Sequence, residues 1–282
     1  IAIDDQSIAN LGRWPWSRDL HAKMTDVLAQ AKVKVIGNTV FFYEPEVSPG
    51  YNYITRLLEM VNQPLPEGAT AAPDVEKMTA LLKEAESKLN TDRKLAESYG
   101  KANSVLLPLT FALGSAHGRP DKPVPDFVGK NRLTKVVRTE GGGALEATAL
   151  QFPIEMLGGK AAALGHLNAF PDIDGGIRAE PLVVQYYDEF YPSMALMIAA
   201  KSLNLGSGDI QVKLGEEVRL GKLRIPTDEA TLMNTFFYRG AEGRPAFVVD
   251  SFYDVLSGKI PASKYAGKIV LIGPTAVGVG TS

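Results

Sequence analysis

Apolar and polar positions change period along the chain, and the changes predict its elements. Ile1–Ile3 opens as the end of a buried strand. Ser17 can cap a helix whose inward face is Leu20, Met24, Val27, Leu28 and Ala31, at helical spacing. Residues 33–42, "VKVIGNTVFF", read as a second buried strand, β-branched and ten residues long. "EPEVSPG" breaks it, and Tyr51–Val61 reads as helix. After a Pro/Ala/Gly linker at 63–73, Val75, Met78, Leu82, Ala85 and Leu89 alternate in steps of three and four. That spacing fits an amphipathic helix lying on the sheet or, with too few heptads to favour it, a coiled coil. A run over 91–99 leads to a third strand, "SVLLPLTF" at 104–111.

Polar and Gly/Pro-rich sequence then occupies 114–150, an irregular excursion with one short hairpin near "EGGG". Order returns with a helix at 153–163 and a strand at 163–170, "ALGHLNAF". Further on come a strand at 182–187, a helix at 193–203, a hairpin in "EVRLGKLRIP" and a strand in "TLMNTFFYRG". A last helix is expected within 247–256, before the strand "KIVLIG". Alternating strands and helices predict an α/β fold, a layered α/β/α sandwich around a mixed, partly parallel sheet. The antiparallel strands belong to its second half. The whole of 1–282 reads as a single domain, with 59–103 a helical insertion. No internal repeat is visible.

Composition narrows the function. Hydrophobic residues at 45% and charged residues at 22% belong to a folded globular protein. A formal net charge of −2, with no basic stripe, argues against a nucleic-acid partner. The absence of cysteine excludes thiol catalysis, Cys-ligated zinc and disulfides. The most apolar stretch, 269–280, is too short to span a bilayer and contains Pro274. With no initiator Met and no signal peptide, the chain reads as a segment of a longer protein.

Candidate chemistry gathers where strands end. Ligands of an open parallel sheet sit outside the carboxyl ends of its strands. Asp4 and Asp5 end the first strand, Glu44 follows the second and Asn168 lies near the end of another. Such acids can bind a cation or support acid/base chemistry. Equally, Asp4 or Asp5 can cap the next helix while Arg18 neutralises it. "PDIDGGIR" at 171–178 resembles the start of a calcium loop, but its glycine comes early and Glu180 is misplaced, so a tight turn explains the same letters. His21, His117 and His166 are scattered, and His166 reads as a packed strand residue. There is no GxSxG, no P-loop and no GxGxxG after a strand, and no cofactor or metal is called for. Trp14 and Trp16 either line a pocket or lock the strand-to-helix corner.

Together, "IDDQSIANLGRWPWSRDLHA", "FFYEPE", "SVLLPL", "ALGHLN" with "PDIDGGIR", "YPSMALMIAA", "FFYRG" and "GKIVLIGPTA" resemble, in this order, the CHASE domain of the second type. That is a cyclase- and histidine-kinase-associated sensory extracellular domain. The resemblance covers nearly the whole chain, least over 59–90 and 114–150. One departure is "IGNTVFF", where Asn38 stands in place of the Asp of many relatives. The resemblance implies the periplasmic or extracellular portion of a bacterial inner-membrane receptor. Its partners would be its own transmembrane helices, a cytoplasmic kinase or nucleotide cyclase, and a small-molecule or envelope ligand, with a homodimer open as its assembly. On this reading the domain is not an enzyme, and Asp4, Asp5, Arg18, Glu44, Asn168 and Arg178 are the candidate polar lining. Two rivals stand beside it: a module binding a periplasmic protein or envelope glycan, and a metal-dependent hydrolase using Asp4, Asp5 and Glu44.

Overall fold

A computed structural model describes residues 1–46, 48–62, 73–240 and 246–279, so the expected linker lies almost wholly outside the described residues. The first half comprises β1 (Ala2–Ile3), α1 (Asp5–Leu11), α2 (Arg18–Gln30), β2 (Val35–Asn38), α3 (Pro49–Val61), α4 (Pro73–Leu89), α5 (Thr91–Ala102) and β3 (Val105–Leu113). Next come α6 (Asp126–Gly129), β4 (Lys135–Val137), β5 (Leu145–Gln151), α7 (Glu155–Gly158), β6 (Ala163–His166), β7 (Ala179–Pro181), β8 (Val183–Tyr186) and β9 (Glu189–Pro192). The chain closes with α8 (Met194–Ser202), β10 (Ile210–Lys213), β11 (Glu217–Leu220), β12 (Leu223–Pro226), β13 (Leu232–Asn234), α9 (Phe252–Leu256) and β14 (Ile269–Pro274).

The main sheet runs β1-β14-β2-β3-β5-β8-β9, with β6 also paired to β3. Its first part, β1, β14, β2, β3 and β6, is parallel throughout. Antiparallel pairing enters where the far half of β3 meets β5 and where β8 meets β9. The mixed, layered α/β fold is therefore the one expected. A smaller sheet, β12-β11-β10-β4, and the pair β13-β7 complete the strands of the described residues.

Both faces of the central strands are covered, which is why β3 reads as an unbroken apolar run. Val105, Leu107 and Leu109 join Met24 and Leu28 of α2, and Leu95 and Tyr99 of α5, on one face. Leu106, with Val35 and Ala163, meets Met194, Met197 and Ala200 of α8 on the other. The small sheet adds Ile210, Val212, Val218 and Leu220 to that second layer, which is thus one helix and a sheet. Gly165 lets α8 dock: a Cβ there would stand 2.7 Å from the Met194 backbone. Cover stops short of β14, whose Ile269 and Leu271 are exposed while Val270 and Ile272 are buried.

Several expectations change. The stretch 114–150 is not an irregular excursion: it holds α6, β4 and the start of β5, which lies in the main sheet between β3 and β8, and β4 pairs with β10 instead of forming a hairpin near "EGGG". The helix foreseen at 153–163 is the single turn α7. The strand foreseen at 33–42 stops at Asn38, whose Oδ1 accepts from the Val40 amide (3.1 Å) and turns the chain. The strand foreseen at 163–170 stops at His166, where the chain passes to side-chain bonding through Asn168. Helix α4 does not lie on the sheet. It packs on α3, and none of the described side chains of either helix is buried. Its periodicity reports a neighbour, but a helix rather than the sheet. Helix α5, by contrast, buries Leu95, Ala96 and Tyr99 and belongs to the core.

Candidate functional site

The strand β14 arrives last in the chain and inserts between β1 and β2. That insertion makes a topological switch, and a crevice opens outside the carboxyl ends of β2 and β14. A cavity of about 150 Å³ lies there, lined by Trp14, Trp16, Arg18, His21, Thr39, Phe41 and Pro274 among others.

The Trp-Pro-Trp segment builds its wall. Gly12 ends α1 at φ 101°, a left-handed conformation that suits glycine. The Gly12 carbonyl accepts the Trp16 indole N–H at 2.8 Å, and the Trp14–Pro15 peptide is cis. Trp14 and Trp16 stand edge to face at 5.3 Å, and His21 packs among Trp14, Phe42 and Phe252. The pair both lines the pocket and locks the corner. Burial, aided by the charge of Arg18, lowers His21 to about 3, so its imidazole is neutral.

The candidate residues are mostly engaged with the protein itself. Asp4 caps α1: its Oδ1 accepts from the Ser7 amide (2.9 Å), the Ser7 hydroxyl (2.5 Å) and the Ser251 hydroxyl (2.9 Å). Burial pushes its carboxyl up, but those hydrogen bonds outweigh it and hold the carboxyl below its usual value. Asp5 is exposed and accepts the Val277 amide at 3.2 Å, on the loop after β14. Arg18 is the partner of Asp92 rather than of Asp4 or Asp5. Its Nε donates to Asp92 at 3.2 Å, its Nη2 to the Glu44 carbonyl at 3.0 Å, and its guanidinium lies over Phe42 at 4.6 Å. The Glu44 carboxylate is exposed and makes no hydrogen bond among the described residues.

Asn168 clips two strands, accepting from the Phe111 amide (2.9 Å) and donating to its carbonyl (2.7 Å). Arg178 sits in a turn of its own, bound to Asp172 (2.6 Å) and Asp174 (2.7 Å). Its guanidinium stands between the two carboxylates that evoke a calcium loop. No hydrogen bond joins Arg178 or Asn168 to Asp4, Asp5, Arg18 or Glu44 among the described residues. Also among them, no group of three or more His, Asp or Glu side chains is placed to hold a metal ion.

Sequence reading passed over Glu46 and Asp92. The Glu46 carboxylate accepts from the Arg18 amide (2.8 Å) and the Thr91 hydroxyl (2.6 Å), so one acid serves the start of two helices. Asp92 accepts the Glu46 amide at 2.8 Å as well as Arg18. The signal available was the second acid of "FFYEPE"; nothing local marked Asp92. Asn38 is buried and donates to the Tyr99 hydroxyl at 3.3 Å.

The partly parallel α/β domain thus carries a small aromatic-walled cavity beyond β2 and β14, with Arg18 paired to Asp92 and the Glu44 carboxylate exposed nearby. The model of the CHASE2 domain matches residues 1–282, and the chain belongs to that family of extracellular sensory domains. Comparison with curated proteins and with solved structures gave no match. No helix of the described residues is long and apolar enough to cross a membrane.

Proposed function

We propose that this chain is the ligand-sensing domain of a bacterial transmembrane receptor, held outside the cytoplasmic membrane and coupled to a cytoplasmic kinase or nucleotide cyclase. Family membership supports the sensory role. The observation that carries the ligand-binding part is the cavity of about 150 Å³ between the carboxyl ends of β2 and β14. A space of that size holds a group as small as benzene. Trp14, His21 and Phe41 supply flat apolar walls, with Arg18, Asp5 and Glu44 on neighbouring segments as the polar surroundings. Occupancy would bias the domain between two states through its differential affinity for them.

A second reading rests on volume. An open cleft of about 840 Å³ lies between the 119–134 segment and the β8–β9 hairpin, with Arg119, Lys130, Tyr186 and Tyr187 in its walls. Tyr187 has φ 53°, an uncommon conformation for a bulky residue. Envelope proteins and glycans are the larger partners such a cleft admits.

A thermal-shift screen against amino acids, sugars, nucleotides, organic acids and divalent cations tests the proposal. A ligand at 100 times its Kd adds about 2.7 kcal/mol of stability. A hit lost in Trp14→Ala and kept in Tyr187→Ala places it at the sheet edge. The reverse places it in the cleft. A flat screen, repeated with glycan fragments, would sink the small-molecule reading.

A further inference from the structure

The hairpin of α3 and α4 carries more apolar surface than the seam between its helices uses. Tyr51, at the start of α3, donates its hydroxyl to Glu86 near the end of α4 at 3.1 Å, so the helices run antiparallel. Ile54, Leu58 and Val61 of α3 and Val75 and Leu82 of α4 are half-buried and form the seam. Outside it, Tyr53, Leu57 and Met60 are 68%, 44% and 67% exposed. On α4, Met78, Leu81 and Leu89 are 46%, 66% and 39% exposed.

At 3.6 residues per turn, each trio falls within an arc of about 80° and forms a second apolar stripe. Both stripes turn to the same side. Gly50 shares its helix face with Leu57, seven residues on. A Cβ on Gly50 would stand 3.9 Å from a methyl of Leu89, so the stripe of α4 adjoins the stripe of α3. Six large side chains exposed to this degree leave a contiguous apolar surface on the order of 600 Å². Monomers rarely expose a contiguous apolar patch larger than about 600 Å². A stable interface buries about 800 Å² on each partner.

We propose that this face is an interface between two copies of the chain, closing as an antiparallel four-helix bundle. A two-helix layer with one apolar face is half of such a bundle. A two-fold interface uses the same patch on both subunits, and this patch is apolar enough to pair with itself. Beside the stripe α4 carries Lys77 and the Glu84–Lys88 pair, which bond to each other at 2.6 Å, so this face has no strong charge of one sign to repel a copy of itself. An anionic lipid surface would call for cations alone. The surface stands apart from the ligand cavity, so its test needs no ligand.

Sedimentation equilibrium of the whole 282-residue chain, without ligand, measures the assembly over a concentration series. The mass is expected to move toward two chains as concentration rises. Leu57→Glu/Leu81→Glu is expected to weaken that association at least tenfold while leaving the circular dichroism spectrum and the dilute-limit melting unchanged. Because the chain has no cysteine, Leu81→Cys supplies a second readout. It should form a disulfide-linked dimer under mild oxidation, whereas Ile173→Cys, on the distant exposed turn, should not. A chain monomeric throughout, a dimer untouched by the double variant, or a monomer that instead binds anionic vesicles through Leu57 and Leu81 would each overturn the proposal.

Discussion

The carboxyl edge of the sheet and the α3–α4 hairpin are opposites in how they use their side chains. At the edge, charge is consumed: Asp4 by two serines, Arg18 by Asp92, Glu46 by two helix starts. What remains open is a small space with aromatic walls. On the hairpin, apolar surface is left over, and none of the described side chains of α3 or α4 is buried. The lesson concerns where function resides. A dense cluster of acids in the sequence marked a structural joint, and the surfaces free to act are those the fold leaves unfinished. The two regions also differ in stiffness, since buried packing resists local opening and half-buried helices do not.

Acid pH breaks the core side of the comparison most strongly. His21 and His166 are both fully buried, and burial lowers each to about 3. Their unfolded-state value is near 6.5. Between those limits the unfolded chain binds protons that the folded chain does not. Stability is therefore complete above about pH 6.5 and is lost as pH falls toward 3. Each histidine contributes up to about 1.4 kcal/mol per pH unit in that window. Both ring nitrogens of His166 lack a partner and its ring packs on Phe111, so nothing local favours its charged form. Urea melts of the wild type and of His166→Phe from pH 7 to pH 4 check this. The variant should show the shallower slope, and parallel slopes would mean that His166 stays neutral in both states or charges in both.

Packing gives the next largest effect. Leu95 of α5 is fully buried against α2 and β3. Leu95→Ala removes its methyl groups and leaves a cavity, at a cost of about 3 kcal/mol in a chemical-denaturation midpoint. A loss under about 1 kcal/mol would show that α5 is a peripheral layer.

Much of this contrast was legible in the sequence, and the part that was not has a physical reason. Ser17 does cap α2, donor and acceptor lying within two residues. Of the face expected for α2, Met24 and Leu28 are fully buried while Leu20, Val27 and Ala31 are partly so, and the buried side turns further, to His21, Ala22 and Thr25. "IVLIG" announces a strand, but not that it inserts between β1 and β2, because that choice depends on pairing with residues some 230 positions away. The period of α4 was equally plain, yet period fixes which residues face a neighbour and not what the neighbour is. Site residues were hardest. Asp4 invites a catalytic or a capping role with the same letters; Ser7, three residues on, makes the cap, and Ser251, 247 residues distant and invisible to any local pattern, completes its hydrogen bonds. The partner of Arg18 lies 74 residues on, beyond any local pattern.

That joint at Asp4 supplies a smaller effect. Asp4→Ala removes the cap of α1 and the carboxylate acceptor of the buried Ser7 hydroxyl, which keeps only the Ser251 hydroxyl and the Tyr253 amide as partners. A lost N-cap costs about 1–2 kcal/mol. The sign of its pH dependence follows from the lowered carboxyl: the stabilisation is present above the ordinary Asp value and fades as pH falls through the folded one. Melting of Asp4→Ala against wild type at pH 7 should show the loss, and an unchanged midpoint would free Asp4 for a role at the ligand.

The hairpin yields the smallest effect and the sharpest contrast. Leu82 is a leucine on an amphipathic helix, as Leu95 is, but it is only half-buried, on a helix whose main neighbour among the described residues is α3. Leu82→Ala should cost under about 1 kcal/mol in global unfolding, because little is buried and the neighbours can collapse onto the gap. The energy that does change is local. Opening of α3 and α4 exposes little apolar surface, so their amides should exchange with solvent faster than those of α2 and α5, and faster again in Leu82→Ala. Exchange measured in dilute solution reads this in the single chain; at high concentration the proposed pairing of two hairpins should slow it. Equal protection of α3, α4 and α5 in the dilute chain would show that the hairpin unfolds only with the core, and the division between a paired, rigid edge and a loosely held apolar surface would fail.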